Sequence, residues 1–205
     1  MIYLIGGPSR CGKSTLAHKL AKKLRCPEIS VDWLRSVVAP YLNSTDKTVL
    51  ENILFKRQGQ DTAKDETEIL WPAVKSFIED KGRWPGDFVI DGIQLLPRYI
   101  NQIAMSIQPK IRVIYLVKTD AQKILHGFEQ VRSRKNDWLL KDHGHNQPYL
   151  AKVAQEIAQR GQYFAAEAKQ YGFSVINTED NFADSLNALV EALYAERKRL
   201  KKTER

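Results

Sequence analysis

Cysteine is nearly absent: Cys11 and Cys26 are the only two in 205 residues. Two such residues build no disulfide framework and show no metal-ligand spacing. Both are expected to be reduced, as in a cytoplasmic protein. Long apolar runs are missing too. No stretch approaches the ~20 apolar residues that cross a bilayer. The opening MIYLIGG has neither the basic lead nor the apolar length of a secretory signal, so no membrane role is expected. There is no internal repeat and no low-complexity tract. His143 and His145 resemble a metal pair only superficially, because no cysteine or acidic cluster supports them. They are read as loop residues.

Positive charge, by contrast, is in excess, at net +8. Residues 197–205 hold six basic side chains and one acid, which is five of those eight charges. The plain reading is a solvated helix end and tail. The functional reading is contact with nucleic acid or another polyanion. A hydrophobic share of 43% supplies a core for one domain, 1–205, with a small lid or insertion.

Short apolar strands alternate with amphipathic helices along the whole chain. Ile2 to Ile5 reads as a buried strand before a Gly-rich turn. Leu16, Leu20 and Leu24 then mark one face of a helix. Glu28 to Val31 is a second strand, and Trp33 to Ala39 a short helix stopped by Pro40. Residues 43–60 are polar and receive no element. A helix with Leu70, Val74, Phe77 and Ile78 on one face runs to Asp80, begun or kinked by Pro72 and ended by Gly82. Phe88 to Ile90 and Ile111 to Val117 are strands. Thr119 with Gln122 forms a capping-box pattern for the next helix. Pro148 opens a long helix that Gly172 closes. Phe173 to Ile176 is the last strand, and a final helix carries Leu186, Leu189, Val190 and Leu193. This alternation predicts an α/β fold with a parallel sheet covered on both faces. Ligands bind such sheets at the carboxyl ends of the strands.

Gly7-Pro8-Ser9-Arg10-Cys11-Gly12-Lys13-Ser14 matches G-x-x-x-x-G-K-[ST], with a strand before it and a helix after it. Its glycines let backbone N–H groups turn toward phosphate oxygens, and the helix N-terminus favours anions. Lys13 is expected on the β- and γ-phosphates of a nucleoside triphosphate, most simply ATP, and Ser14 on Mg²⁺. The nucleotide-binding candidates are Gly7 through Ser14 together with Thr15. Cys11, near a helix N-terminus, is expected to have a lowered thiol pKa and to be shielded from alkylation by bound ATP.

Two carboxylates follow strands. Asp32 is either a helix N-cap or a base that accepts a proton from an attacking hydroxyl. Arg35, one turn on, can then pair with an anionic substrate group. Asp91 ends a strand in the Walker-B manner and is the candidate second support for Mg²⁺ beside Ser14. Its plain alternative is an Asp-Gly turn. Residues 92–98 extend toward the acceptor pocket, with Gln94 and Arg98 as substrate-binding candidates. Arg132, Arg134 and Lys135 open a polar excursion, Ser133 to Gln147. Read as a lid over about 132–147, it would bring arginines onto the moving phosphoryl group. Read plainly, it is a solvated basic helix end.

The phosphate loop, Asp32 with Arg35, the Ile90-Asp91-Gly92 stretch and the arginine-bearing segment together resemble the P-loop kinase superfamily over roughly residues 1–195. The resemblance implies a three-layer fold with a five-stranded parallel sheet in the order 2-3-1-4-5. It also implies transfer of the γ-phosphoryl group of ATP, with Lys13, Asp32, Arg132 and Arg134 as the catalytic set. Asp91-Gly92 followed by Pro97-Arg98 is similar to the DGFPR stretch of adenylate kinases, with longer spacing here. The Asp32/Arg35 pair resembles kinases with alcohol acceptors, including 2-phosphoglycerate-kinase-like proteins and polynucleotide 5′-hydroxyl kinases. The leading expectation is therefore a kinase that phosphorylates a hydroxyl of a small anionic metabolite. The alternatives are a polynucleotide kinase, an adenylate or nucleoside monophosphate kinase, and an ATP-sensing regulator that transfers nothing.

Overall fold

A computed structural model describes residues 1–48, 50, 61–130, 139, 143 and 146–203. Its sheet has five parallel strands: β1 (Ile2–Gly6), β2 (Glu28–Ser30), β3 (Phe88–Asp91), β4 (Ile111–Val117) and β5 (Ser174–Asn177). Their spatial order is β2-β3-β1-β4-β5, as the resemblance implied. β1 is central, pairing Ile5 with Asp91 on one side and with Ile114 on the other. That register puts the end of β3 beside the start of the phosphate loop.

The central strands are apolar on both faces because both faces are covered. Tyr3 and Ile5 of β1, with Ile114 and Leu116 of β4, belong to one core. That core is covered by α1 (Lys13–Leu24), α5 (Ala121–Gln130), the first half of α6 (Gln147–Gln170) and α7 (Phe182–Thr203). Ile2 and Leu4, with Val113, Tyr115 and Val117, face the other core. Here the cover is α3 (Asp61–Arg83), α4 (Pro97–Ile100) and the second half of α6. In α1, Leu16 and Leu20 are completely buried, each worth about 1.5–3 kcal/mol of apolar burial. None of the described helices is long and apolar enough to cross a membrane.

Several boundaries differ from expectation. Val31 begins α2 (Val31–Val38) instead of ending β2. The N-cap of α2 is Ser30, whose Oγ accepts the N–H of Asp32, so the carboxylate of Asp32 is not spent on capping. Pro40 lies within a 3₁₀ turn, Ala39–Tyr41. Pro72 lies inside α3 and does not begin it, and α3 continues through Gly82 to Arg83. Asp120, not Thr119, caps α5, accepting the N–H groups of Gln122 and Lys123 at 2.8 and 3.1 Å. Thr119 instead gives its backbone N–H and hydroxyl to Glu179. Both caps went to the residue adjoining the helix, which needs no detour to reach the orphan N–H groups.

The charged tail is not simply solvated. Arg197 is 7% exposed and donates from Nε to Asp87 at 2.7 Å. Lys201 reaches the other oxygen of Asp87 at 2.9 Å. Of the predicted lid, Arg132, Arg134, Lys135 and His145 lie outside the described residues, as do most of 49–60. His143 lies against the ring of Tyr149, 4.2 Å between centroids.

Candidate active site

The phosphate loop leaves β1 through Gly7 at φ +126°, where a Cβ would sit 2.0 Å from the Leu116 carbonyl oxygen. Only glycine fits there. The loop re-enters helix at Gly12, φ +95°, directly under the Phe182 ring. Arg10 also has positive φ, at 63°, and its guanidinium lies 5.0 Å over the Phe128 ring.

Lys13 is buried and donates to the Pro8 carbonyl at 2.8 Å. Burial pushes its pKa down, opposed by the neighbouring Cys11, Asp91 and Asp32. The ammonium is thus held inside the curl of the loop by a single carbonyl, which an anion can replace as partner. Ser14 donates from Oγ to Asp91 Oδ2 at 2.8 Å. Asp91 is 3% exposed, and its Oδ1 has no hydrogen-bond partner. Burial raises its pKa, and Ser14 and Lys13 only partly oppose this. A buried carboxylate oxygen without a partner, beside a hydroxyl, is a donor set that suits a hard divalent cation. No cluster of three or more metal-ligating side chains occurs among the described residues. Mg²⁺ does not need one, since it takes one or two protein oxygens and completes its shell with phosphates and water.

Cys11 overturns one expectation. Its side chain is completely buried, and burial pushes the thiol up to about 11 despite the nearby Lys13 and Lys118. The helix N-terminus does not prevail here, because the sulfur lies in an apolar core where a thiolate would be poorly solvated. Thr178, fully buried after β5, donates to the Cys11 carbonyl at 3.0 Å and so pins the middle of the loop.

Asp32 is exposed, and its Oδ1 accepts from Gln94 Nε2 at 3.0 Å. Its charge acts on both Lys13 and Asp91. Gln94 is 1% exposed; the same nitrogen donates to Glu66 at 3.2 Å, while its Oε1 is unpaired. Glu66 pairs in turn with Arg35 Nε at 3.2 Å, and Arg35 also donates to the Leu50 carbonyl at 2.9 Å. Asp32, Gln94, Glu66 and Arg35 therefore form one chain of polar contacts from three separate segments. Burial raises the pKa of Glu66, against the opposing charge of Arg35. Arg98 stands apart. Its Nε and Nη2 are buried without hydrogen-bond partners, its guanidinium lies 4.9 Å over the Tyr99 ring, and among the described residues no hydrogen bond joins it to this chain of contacts.

Glu66, Thr178 and Phe182 were not singled out from sequence. Glu66 left a signal: it stands four residues before Leu70, a carboxylate on the apolar stripe that continues through Val74 and Ile78. Thr178 follows a strand end, where this class of sheet binds ligands.

No protein-family model matches the chain. It is 29% identical over 150 residues to the adenylate kinase of Rickettsia bellii, an alignment covering 69% of this chain and 66% of that one. Among the rickettsial adenylate kinases the aligned stretch spans between 51% and 66% of their length. In three dimensions the chain is similar to the shikimate kinase of Bacteroides thetaiotaomicron, with a TM-score of 0.51 and 17% identity over 94% of this chain and 97% of that one. It is also similar to a gluconokinase of Sinorhizobium meliloti, with a TM-score of 0.50 and 15% identity over 95% of each. At such identities these structures speak for the fold.

Proposed function

We propose that this chain, which belongs to the P-loop kinase superfamily by its fold and phosphate loop, transfers the γ-phosphoryl group of ATP to a hydroxyl of a small anionic metabolite. The observation that carries the reading is Asp32: a carboxylate freed from capping by Ser30, held by Gln94, and close enough to act on the charges of Lys13 and Asp91. A phosphate acceptor has little need of a base there; an alcohol does.

In this reading the N–H groups of the loop and Lys13 hold the β- and γ-phosphates. Ser14 and Asp91 would hold Mg²⁺, which neutralises charge on the phosphates when bound. The bond from γ-phosphorus to the β–γ bridging oxygen breaks as one forms to the acceptor oxygen, whose proton passes to Asp32. Arg35, fixed in place by Glu66 and the Leu50 carbonyl, pairs with an anionic group of the acceptor. Arg98, with two buried nitrogens unpaired, is a second candidate for that group. Arg132 and Arg134 belong to the proposal as cations of a lid over 132–147. Two free cysteines agree with a reducing, cytoplasmic setting.

The test is Asp32→Ala, assayed with labelled ATP against hydroxy acids, sugar phosphates, nucleoside monophosphates and oligonucleotides. ATP binding should be retained and transfer should fall about 10²–10⁴-fold. Transfer at the unsubstituted rate would sink the base assignment. The likeness to adenylate kinases favours one second reading, transfer to the phosphate of a nucleoside monophosphate. Its mark would be turnover of AMP that is indifferent to Asp32→Ala. An ATP-sensing regulator would bind ATP normally and phosphorylate nothing in the panel.

A further inference from the structure

At the end of the molecule away from the phosphate loop, α1 and α7 lie side by side and enclose an open groove of about 1000 Å³. One wall carries Lys19, Lys22, Lys23 and Arg25; the other carries Arg197, Lys198 and Lys201. Glu191 is the single carboxylate in the lining. On α7 the lining positions 187, 190, 191, 194, 197, 198 and 201 repeat at helical spacing, so one stripe of that helix faces one stripe of α1. Cations at helix C-termini are ordinarily explained by the macrodipole. That explanation does not require the two sets to face each other across a shared cleft, where like charges repel.

The cations differ in how they are held. Arg197 and Lys201 are tied to the buried Asp87, which fixes two cations of the α7 wall. Lys19 donates to Asn187 at 2.6 Å, and Lys23 donates to Glu191 at 2.7 Å. The side chains of Lys22 and Arg25 have no hydrogen bond or ion pair among the described residues. Lys198 meets no carboxylate there either and lies 4.6 Å over the Tyr194 ring, with Lys23 at 5.1 Å from the same ring. An aromatic ring beside Lys198, a cation with no carboxylate partner among the described residues, combines phosphate attraction with a stacking surface. From Asn187 to Lys201 the stripe runs about 21 Å along α7. This is longer than one nucleotide needs and spans several phosphates of a strand.

We infer that the groove between α1 and α7 binds the backbone of a single-stranded nucleic acid, with Lys22, Arg25 and Lys198 on phosphates and Tyr194 against a base. The site is separate from the phosphate loop, and the inference does not depend on which acceptor the loop serves.

The experiment measures fluorescence anisotropy of a labelled 12-nucleotide oligouridylate with the full chain at several salt concentrations. Lys22→Gln/Arg25→Gln/Lys198→Gln should weaken binding at least tenfold and reduce the slope of log affinity against log salt by about 2, the value for three lost contacts to a single strand. Tyr194→Leu should weaken binding about fivefold or more with the slope unchanged. Lys13→Ala should bind the oligonucleotide as the unsubstituted chain does, and ATP should not compete. Thermal melting of each variant separates lost binding from lost folding. Unchanged affinity in the folded triple variant would overturn the inference. So would displacement of the oligonucleotide by ATP, or inorganic polyphosphate binding as tightly as RNA and indifferent to Tyr194→Leu. Anionic vesicles binding in preference to RNA would overturn it equally.

Discussion

Asp87 immediately precedes the short strand β3 and Asp91 ends it, and both are almost completely buried. Asp87 is surrounded by cations: Arg197 at 2.7 Å, Lys201 at 2.9 Å and the amino group of Met1 at 3.1 Å. Burial alone would raise its pKa, but these partners outweigh it and hold the carboxyl below its ordinary value. Asp91 has Ser14 as its hydrogen-bond partner and one oxygen unpaired, and burial wins: its pKa is raised. A buried carboxylate with all its partners inside the fold stabilises that fold. One that lacks partners is a cost, tolerated where a ligand supplies what is missing. The same contrast holds for cations. Arg197 is buried against a carboxylate, whereas Lys13 is buried against a backbone carbonyl.

The strongest way to break this contrast is to exchange the expected consequences. Lys13→Ala should reduce transfer about 10³-fold or more while leaving the melting temperature unchanged or raised. Full activity in that variant, or a collapse of its fold, would refute the assignment of Lys13 to the ligand.

Asp87→Asn should do the reverse. It should destabilise the chain by about 3 kcal/mol at neutral pH by stranding Arg197, with activity per folded molecule unchanged, as read by denaturant melts and by assay at low temperature. Because the folded pKa of Asp87 is depressed, its stabilisation is present above the unfolded value of about 3.9. It is lost as pH falls through the still lower folded value. The difference between Asp87→Asn and the unsubstituted chain should therefore shrink at acid pH. A constant difference would show that packing, not charge, is responsible.

Asp91→Asn should show the opposite sign. A raised folded pKa means that the ionised group opposes folding at neutral pH and that the penalty disappears once both states are protonated below about 3.9. The variant should be more stable than the unsubstituted chain at pH 7 and no more stable at acid pH, while Mg²⁺-dependent transfer is lost. Destabilisation at pH 7 would mean that the hydrogen bond from Ser14 outweighs the burial. The smallest effect concerns Cys11. With its thiol at about 11, alkylation at pH 8 should be about 100-fold slower than in the unfolded chain, with or without ATP. Rapid labelling that ATP blocks would restore the reactive-thiol expectation.

Much of the fold was readable because its signals are local. Each strand is a short apolar run, and each helix shows its stripe within a few turns. The phosphate loop is legible for the same reason: Gly7, Gly12, Lys13 and Ser14 act within eight consecutive residues. Asp32, Arg35 and Gln94 were readable as candidates from their positions after strands, but their mutual arrangement was not. Gln94 and Glu66 lie 28 residues apart, and nothing in spacing says that one amide nitrogen will bridge Asp32 and Glu66. Caps were misread where two adjacent polar residues competed, as at Thr119 and Asp120. Within the tail, Arg197 could not be told apart from its exposed neighbours, because its partner lies 110 residues away.

The sequence by itself determined the alternation of strand and helix and the phosphate-loop motif, because backbone geometry and side-chain chemistry act there over a few consecutive residues. Tertiary structure alone decided which carboxylate is satisfied and which is left with an unpaired oxygen. It also decided that Cys11 is buried, with its thiol pKa raised by that burial, and that basic residues of α1 and α7 face each other across one groove. Burial and charge pairing are properties of surroundings, and the surroundings of a side chain come from segments far from it in the chain.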